Sequence, residues 1–518
     1  MDLNENKNSA IRRSIMRGTI SNYLGQLIIL GTGFVLTPFI LRRVGPVDYG
    51  LWVLLNSIIG YGFLLELGIS GAIVKYTAEY RAKGASDEAN RLIATALTTY
   101  TLLGLVALII TFVLAPLAPR IFNVPPESQL KAITLVRVAG IGLAVSIPAT
   151  APSAVLRGLQ RFDLINVIAV FNAVASAIVI VAALLLGWGI LGMVGLGIGV
   201  TILTAVPGVL LIRRTAPDIH LGWRGAKLEL MRTVASFSVA LFVIQFAGRL
   251  QTKTDEIVIG TFLPVSNVTP YSLARRLGEM ANLLAYQFVK VLMPVASELH
   301  AAEDWPRLRS MYTAGTRLGL AASLAIAVTV SILAAPLLTA WVGPAYAIYS
   351  PLVVIVAVAS VAVMTQYPAG AIMQGIARHR FLAVTSIASG LINLALSIAL
   401  VRPFGLIGVA LGTLIPTLLE TFGLVLPYAM RVLGVDFGRM ASEAFLPALL
   451  PALPMAATLY ALRVLLEPSS LPMLALIGAI GALVYVGGYL AMRASASERM
   501  VVRTSLDRTL VLLKTVLK

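Results

Sequence analysis

"PSAVLRGLQRFDLINVI" runs from Pro152 to Ile168, and about 217 residues later the chain writes "AGAIMQGIARHRFLAVT", from Ala369 to Thr385. Each stretch is a small-residue apolar run, a glycine, a short basic patch and a second apolar run. Two more echoes keep an offset of roughly 216 to 220 residues: "APLAPRIFNV" from Ala115 against "APLLTAWVG" from Ala335, and "GILG" from Gly189 against "GLIG" from Gly405. Shared apolar composition explains one such likeness; several at one offset indicate a doubled chain.

What is doubled is a membrane unit. Of 518 residues, 58% are hydrophobic and only 12% charged, and the mean hydropathy is +0.90. A soluble domain is about one quarter charged. Apolar runs of about 20 residues, each long enough to cross roughly 30 Å of hydrocarbon, recur about fourteen times. Their approximate positions are 18–41, 49–72, 92–116, 130–155, 163–186, 190–212, 233–263, 270–297, 312–336, 349–373, 381–401, 405–430, 444–465 and 471–492. The repeat offset maps runs one to six onto seven to twelve. Six is even, so both copies start on the same side of the membrane and the repeat is parallel. The expected fold is therefore an all-α polytopic membrane protein. Residues 1–215 and 216–432 form two six-helix lobes around a central cavity, and 433–493 holds two more helices. The tail, 494–518, reads as a basic amphipathic helix lying on the inner leaflet. Two lobes around a cavity are the architecture of alternating-access transport.

The formal net charge of +17 would suggest nucleic acid in a soluble protein, but its distribution fits the positive-inside rule. With the amino terminus cytoplasmic, the inside segments hold most of the 40 Lys and Arg, including Arg12, Arg13, Arg17, Lys75, Arg81, Lys83, Arg91, Arg157, Arg161, Arg213, Arg214, Arg224, Lys227, Arg378 and Arg380. Both termini are expected in the cytoplasm, the basic loops on anionic lipid, and no nucleic acid as partner. The first apolar run has no A-x-A-like cleavage site after it, so it reads as a retained helix. There is no cysteine, and His220, His300 and His379 are scattered, which excludes a structural zinc site. No G-x-x-x-x-G-K-[ST] phosphate loop occurs, and no cofactor is expected. A membrane glycosyltransferase or polymerase would need catalytic groups on sizeable external loops. The outside loops here are short, and the first carries one acid, Asp48. The chain does not read as an enzyme.

Ionisable groups at membrane depth are costly and mark function. They concentrate in runs seven and eight. In the first, Ser238, Gln245, Arg249, Thr252, Lys253 and Glu256 fall on about a quarter of the helical wheel; in the second, Tyr271, Arg275, Glu279, Asn282, Tyr286 and Lys290 form a stripe of similar width. Both stripes are expected to face the cavity. A phosphate-bearing lipid carrier suits such a cavity, because Arg binds phosphate oxygens bidentately. Arg249, Lys253 and Arg275 are the candidate phosphate ligands, with Arg276, Lys290 and Arg317 adding positive field. Tyr271 and Tyr286 either stack on sugar faces or sit at an interface. The alternative for the cations is internal pairing, Arg275 with Glu279 or Lys253 with Glu256. Glu66, Asp255 and Glu420 are the buried acids that could couple transport to a cation or proton, although Asp255, with Lys253 close in sequence, reads first as a structural ion pair. A cavity rich in Arg and Lys disfavours a multidrug extruder, whose substrates are cationic.

"LRRVGPVDYGLW", "LLELGISGAIVKY", "RGLQRFDLIN" and "TKTDEIVIGTFL" followed by "YSLARRL" resemble the polysaccharide-exporter branch of the multidrug/oligosaccharidyl-lipid/polysaccharide flippase superfamily. O-antigen flippases belong to this branch, and lipid II flippases and multidrug extruders are its cousins. The resemblance covers nearly the whole chain through diffuse motifs. It implies twelve helices in two lobes plus two, and an oligosaccharide linked to polyprenyl (di)phosphate, flipped from the cytoplasmic to the outer leaflet of the cell membrane. It further implies glycosyltransferases or a polymerase of the same pathway as partners. An acid at the position of Glu66 is frequent in that family, and the last two helices are implied to hold the lipid tail, packing being the other use.

Overall fold

The computed structural model describes residues 2–66, 68–282, 289 and 291–492; Tyr286, Lys290 and the 494–518 tail lie outside the described residues, as do the side chains of Ser238 and Thr252. The described residues are helical with short turns. The chain divides into two compact units, Met1–Thr269 and Pro270–Lys518. In the first unit the principal helices are α1 (Asp2–Gly62), α2 (Ile69–Ala82), α3 (Ser86–Leu114), α4 (Gln129–Ala149), α5 (Ala151–Gly158), α6 (Phe162–Leu185), α7 (Gly189–Thr215) and α8 (Leu228–Phe262). The unit boundary falls inside α9 (Val268–Gly278). The second unit continues with α10 (Leu292–Ala301), α11 (Trp305–Ile332), α12 (Ser350–Gly375), α13 (Arg380–Leu418), α14 (Ala452–Leu466) and α15 (Leu471–Met492). Helix α8, which opens the second sequence repeat, packs on α1, α2 and α3 and so belongs to the first packing unit.

Among the described residues, ten stretches are long and apolar enough to cross a membrane. Two of the helices that carry them bend at a glycine. Within α1, Gly45 takes φ 78°, ψ 173°, between the runs expected at 18–41 and 49–72. Within α13, Gly405 takes φ 57°, ψ −135°, between those expected at 381–401 and 405–430. Residues with a Cβ rarely adopt such dihedrals, so glycine makes both bends cheap.

The doubling is visible in the backbone. Positive-φ residues recur at Gly84 and Glu303, Asn123 and Gly343, Gln160 and Ala377, and Gly189 and Gly405, again offset by roughly 216 to 220 residues. The stretches quoted at the outset end α5 and α12 in the same way. In the first, Gln160 (φ 58°) follows the last turn, and Arg161 N donates to Leu156 O at 2.9 Å. In the second, Ala377 takes φ 58° and Arg378 N donates to Met373 O at 2.8 Å. These are left-handed helix stops in which the backbone returns to satisfy terminal carbonyls.

The shared glycine has a packing reason. A Cβ on Gly158 would lie 2.8 Å from Thr77 Cβ and 3.0 Å from Val74 O on α2; one on Gly375 would lie 2.6 Å from Met293 O and 2.8 Å from Ala296 Cβ on α10. The same contact is thus built in each unit, the end of the fourth span of a half against the end of its second. Around it sit separate cores, one including Ile73, Leu92, Tyr100, Ile147 and Leu156, the other Ala296, Leu308, Tyr312, Ile372 and Met373.

Candidate functional site

In the first unit, the charged part of α8 lies along the end of α1. Arg249 and Lys253 are half-buried one turn apart, flanking Gly60: an ideal Cβ there would be 3.5 Å from Lys253 Cγ and 3.8 Å from an Arg249 guanidinium nitrogen. A side chain at position 60 would take up the space into which both cations extend. Tyr61 fixes the register, its hydroxyl 2.6 Å from Thr254 Oγ1 and donating to Arg249 O at 3.3 Å. Thr254 Oγ1 donates in turn to Leu250 O at 2.6 Å. Along the same helix, Asp255 and Glu256 are buried (2% and 4% exposed) while Gln245 is exposed. The polar stripe of α8 therefore runs from open to enclosed along its length. Periodicity along the helix carries no information about this gradient.

Glu66 closes a break in the second span. After α1 a 3-10 turn covers Phe63–Glu66, and Gly68, φ 75°, starts α2. Glu66 Oε1 accepts from Ser70 N at 3.2 Å and from Tyr100 Oη at 2.9 Å. Tyr100 Oη also lies 3.2 Å from Ser70 Oγ. The carboxylate thus takes up one of the free backbone N–H groups of the first turn of α2. Tyr100 was not singled out from sequence, although the run "TTYT", Thr98 to Thr101, interrupting an apolar stretch was an available signal.

In the second unit, Tyr271 is buried (1% exposed). Arg275 donates from Nε to Glu279 Oε1 at 2.6 Å, with the Arg side chain mostly covered and the Glu half exposed. The internal pair weighed from sequence is thus formed. Arg276, on the next position of the wheel, is exposed. Arg317 of α11 is half-buried and donates to Glu443 O at 3.3 Å, within a π-helical turn, Ala441–Phe445, that opens the pair of helices beyond the repeat. Glu420 lies in a second π-helical turn, Leu419–Val425, is 3% exposed, and accepts from Ser386 Oγ at 2.8 Å. Such turns insert one residue into an α-helix and frequently occur at functional sites. The repeat motifs carry no signal for them. No group of three or more His, Asp or Glu with metal-holding geometry occurs among the described residues.

Comparison with known proteins agrees with this architecture. A family described as polysaccharide biosynthesis protein matches residues 15–300. EpsK, an uncharacterized membrane protein of Bacillus subtilis (strain 168), is 21% identical over 409 residues, 77% of this chain and 80% of EpsK. Among solved structures, the lipid II flippase MurJ in an inward closed conformation superposes with a TM-score of 0.71 at 14% identity, over 91% of this chain and 98% of MurJ. An inward-facing multidrug resistance MATE family transporter of the MOP superfamily gives 0.68 at 15% identity, over 79% and 95% of the two chains.

Proposed function

The chain belongs to the polysaccharide biosynthesis protein family, in the polysaccharide-exporter branch of the multidrug/oligosaccharidyl-lipid/polysaccharide flippase superfamily, and from that premise we propose that it carries a polyprenyl-(di)phosphate-linked oligosaccharide from the cytoplasmic to the outer leaflet for cell-surface polysaccharide synthesis. The movement is alternating access by two halves of one repeat. Arg249, Lys253 and Arg275 hold the phosphates, and Arg276, Lys290 and Arg317 supply further positive field. The lipid tail stays in the bilayer, and both termini face the cytoplasm. Glycosyltransferases of the same pathway deliver the substrate.

The observation that carries this reading is the placement of Arg249 and Lys253, two cations one turn apart in a span, beside a glycine that leaves their side chains room. Like charges so placed in a membrane are costly unless an anion or water meets them. Phosphate is the anion for which a guanidinium is shaped. The buried acids divide by their surroundings. Glu66 is fixed by a helix N-terminus and a tyrosine, Glu279 pairs with Arg275, and Asp255 and Glu420 are the groups proposed to couple transport to an ion gradient.

The test is a reconstituted-vesicle assay following leaflet exchange of a lipid-diphosphate oligosaccharide by wild type, Arg249→Ala and Arg275→Ala. Folded arginine variants that have lost most of the exchange rate support the reading. Variants that exchange at the wild-type rate overturn the assignment of these arginines.

A further inference from the structure

Between α7 and α8 the chain runs as a strap, residues 216–227, laid along α3. Ser86 Oγ donates to Asp218 Oδ2 at 2.6 Å, Asn90 Nδ2 to Asp218 O at 2.9 Å, and His220 N to Asn90 Oδ1 at 2.7 Å. Lys227 N closes the strap on Thr95 Oγ1 at 3.0 Å, and Ile219 is buried against the first unit's core. Between these clamps Trp223 reaches further along the helix, its indole Nε1 donating to Thr101 Oγ1 at 3.1 Å while 61% of the residue stays exposed.

Thr101 marks a boundary. From Ser86 to Thr101 no large apolar side chain of α3 is exposed, whereas Leu102, Leu105 and Ile109 of α3, and Leu117 and Ile121 in the helical turns that continue it, all are. The stretch from 102 to 121 spans about 29 Å at 1.5 Å per residue, the thickness of the hydrocarbon core. The Trp223 indole therefore sits where hydrocarbon gives way to headgroups, the depth that tryptophan favours. Immediately beyond it are cations. Arg224 is exposed, and Arg91 is exposed with its Cγ 3.8 Å from where a Cβ on Gly225 would stand. Neither guanidinium makes a hydrogen bond or ion pair among the described residues. The Lys227 backbone, level with Thr95, is about 9 Å above Thr101 along the helix, within reach of the phosphate layer.

We propose that the strap forms a binding site for an anionic phospholipid, with Trp223 against the upper acyl chain and glycerol and Arg224 and Arg91 on the headgroup phosphate. The site anchors the connection between the repeat halves to one leaflet. It is separate from the residues assigned to the transported substrate.

The probe is tryptophan quenching in the full-length protein, reconstituted in phosphatidylcholine containing a minor fraction of phosphatidylglycerol. One lipid or the other carries bromine near the top of its chains, and the Trp223 contribution is obtained by difference from Trp223→Phe. In wild type, brominated phosphatidylglycerol quenches Trp223 well beyond its mole fraction. Arg91→Gln and Arg224→Gln each lower that enrichment about five-fold, and Arg224→Lys retains most of it. Quenching in proportion to mole fraction, or an enrichment unchanged in the double Gln variant, overturns the proposal. So does loss of the enrichment in millimolar inorganic phosphate, which would make this a site for soluble anions. An unquenched Trp223 would place the indole in water and overturn it as well.

Discussion

Replacing Gly375 by Ala tests the packing reason for the repeated motif. The new methyl group would meet Met293 O at 2.6 Å, Ala296 Cβ at 2.8 Å and Ser297 N at 3.2 Å. Two of the three contacts are backbone and the third is a buried Cβ, so relief comes only by moving α10 off α12, by about 0.7 Å to reach ordinary contact distances. That shift also stretches the bond from Ser297 Oγ to Gly375 O, now 2.9 Å. Overpacking of this kind costs about 1 to 3 kcal/mol, and the weakened hydrogen bond adds about 0.5 to 1.5 kcal/mol. Removing a helix glycine returns at most ~1 kcal/mol. The balance is a loss of about 1 to 3 kcal/mol. Gly370→Ala is the internal control: same helix, same substitution, and nothing within 4 Å of the new methyl, so it is expected to be neutral or up to ~1 kcal/mol stabilising. Equilibrium unfolding of the purified protein in mild detergent reads both. A Gly375→Ala protein as stable as Gly370→Ala would refute the close-approach argument, and with it the explanation of why the motif is written twice.

Gly158→Ala, against Thr77 and Val74, is expected to lose a similar amount in the first unit. Tyr100→Phe removes the hydroxyl that Glu66 accepts from, and the same unfolding assay should record a loss of about 1 to 3 kcal/mol; a loss near zero would mean that water replaces the hydroxyl. In a double-mutant cycle the Arg275–Glu279 pair, half exposed on the Glu side, should couple by only about 0.3 to 0.5 kcal/mol. Transport should fail in Arg275→Ala and persist in Glu279→Gln. The strap is expected to respond to acid. The Ser86 hydroxyl, and then its own backbone, hold the Asp218 carboxyl below its usual range. A carboxyl depressed in the folded state lends stability that is complete above its unfolded pKa and is lost as pH falls through the folded value. Hydrogen exchange of residues 216–227 should stay slow near neutrality and quicken below about pH 4, with the midpoint moving upward in Ser86→Ala.

The doubled architecture was legible because it rests on local signals: apolar run length, glycine placement and motif spacing. The Gly158 and Gly375 stretches, matched by sequence alone, end in identical backbone turns. The spans were harder to delimit, since Gly45 and Gly405 bend continuous helices that hydropathy divides into separate runs. The candidate site was legible as a stripe, because 100° periodicity puts Arg249 next to Lys253 and Arg275 next to Glu279. Its fine structure was not. The room left by Gly60, the Tyr61–Thr254 contact, the Tyr100–Glu66 bond and the Ser386–Glu420 bond join residues far apart in the chain, and sequence periodicity along one helix carries no information about its neighbours. The strap was hidden for the same reason, and also because a polar linker rich in turn residues reads as an unattached loop until its partners on α3 are known.

The measurement that most directly tests the account is a choice of substrate. Vesicles containing the wild-type protein would be offered, side by side under imposed ion gradients, a lipid-diphosphate oligosaccharide and a cationic dye. The account predicts leaflet exchange of the glycolipid and no protein-dependent movement of the dye. Dye export with the glycolipid left in its original leaflet would contradict it, leaving the fold intact and the anionic substrate class wrong.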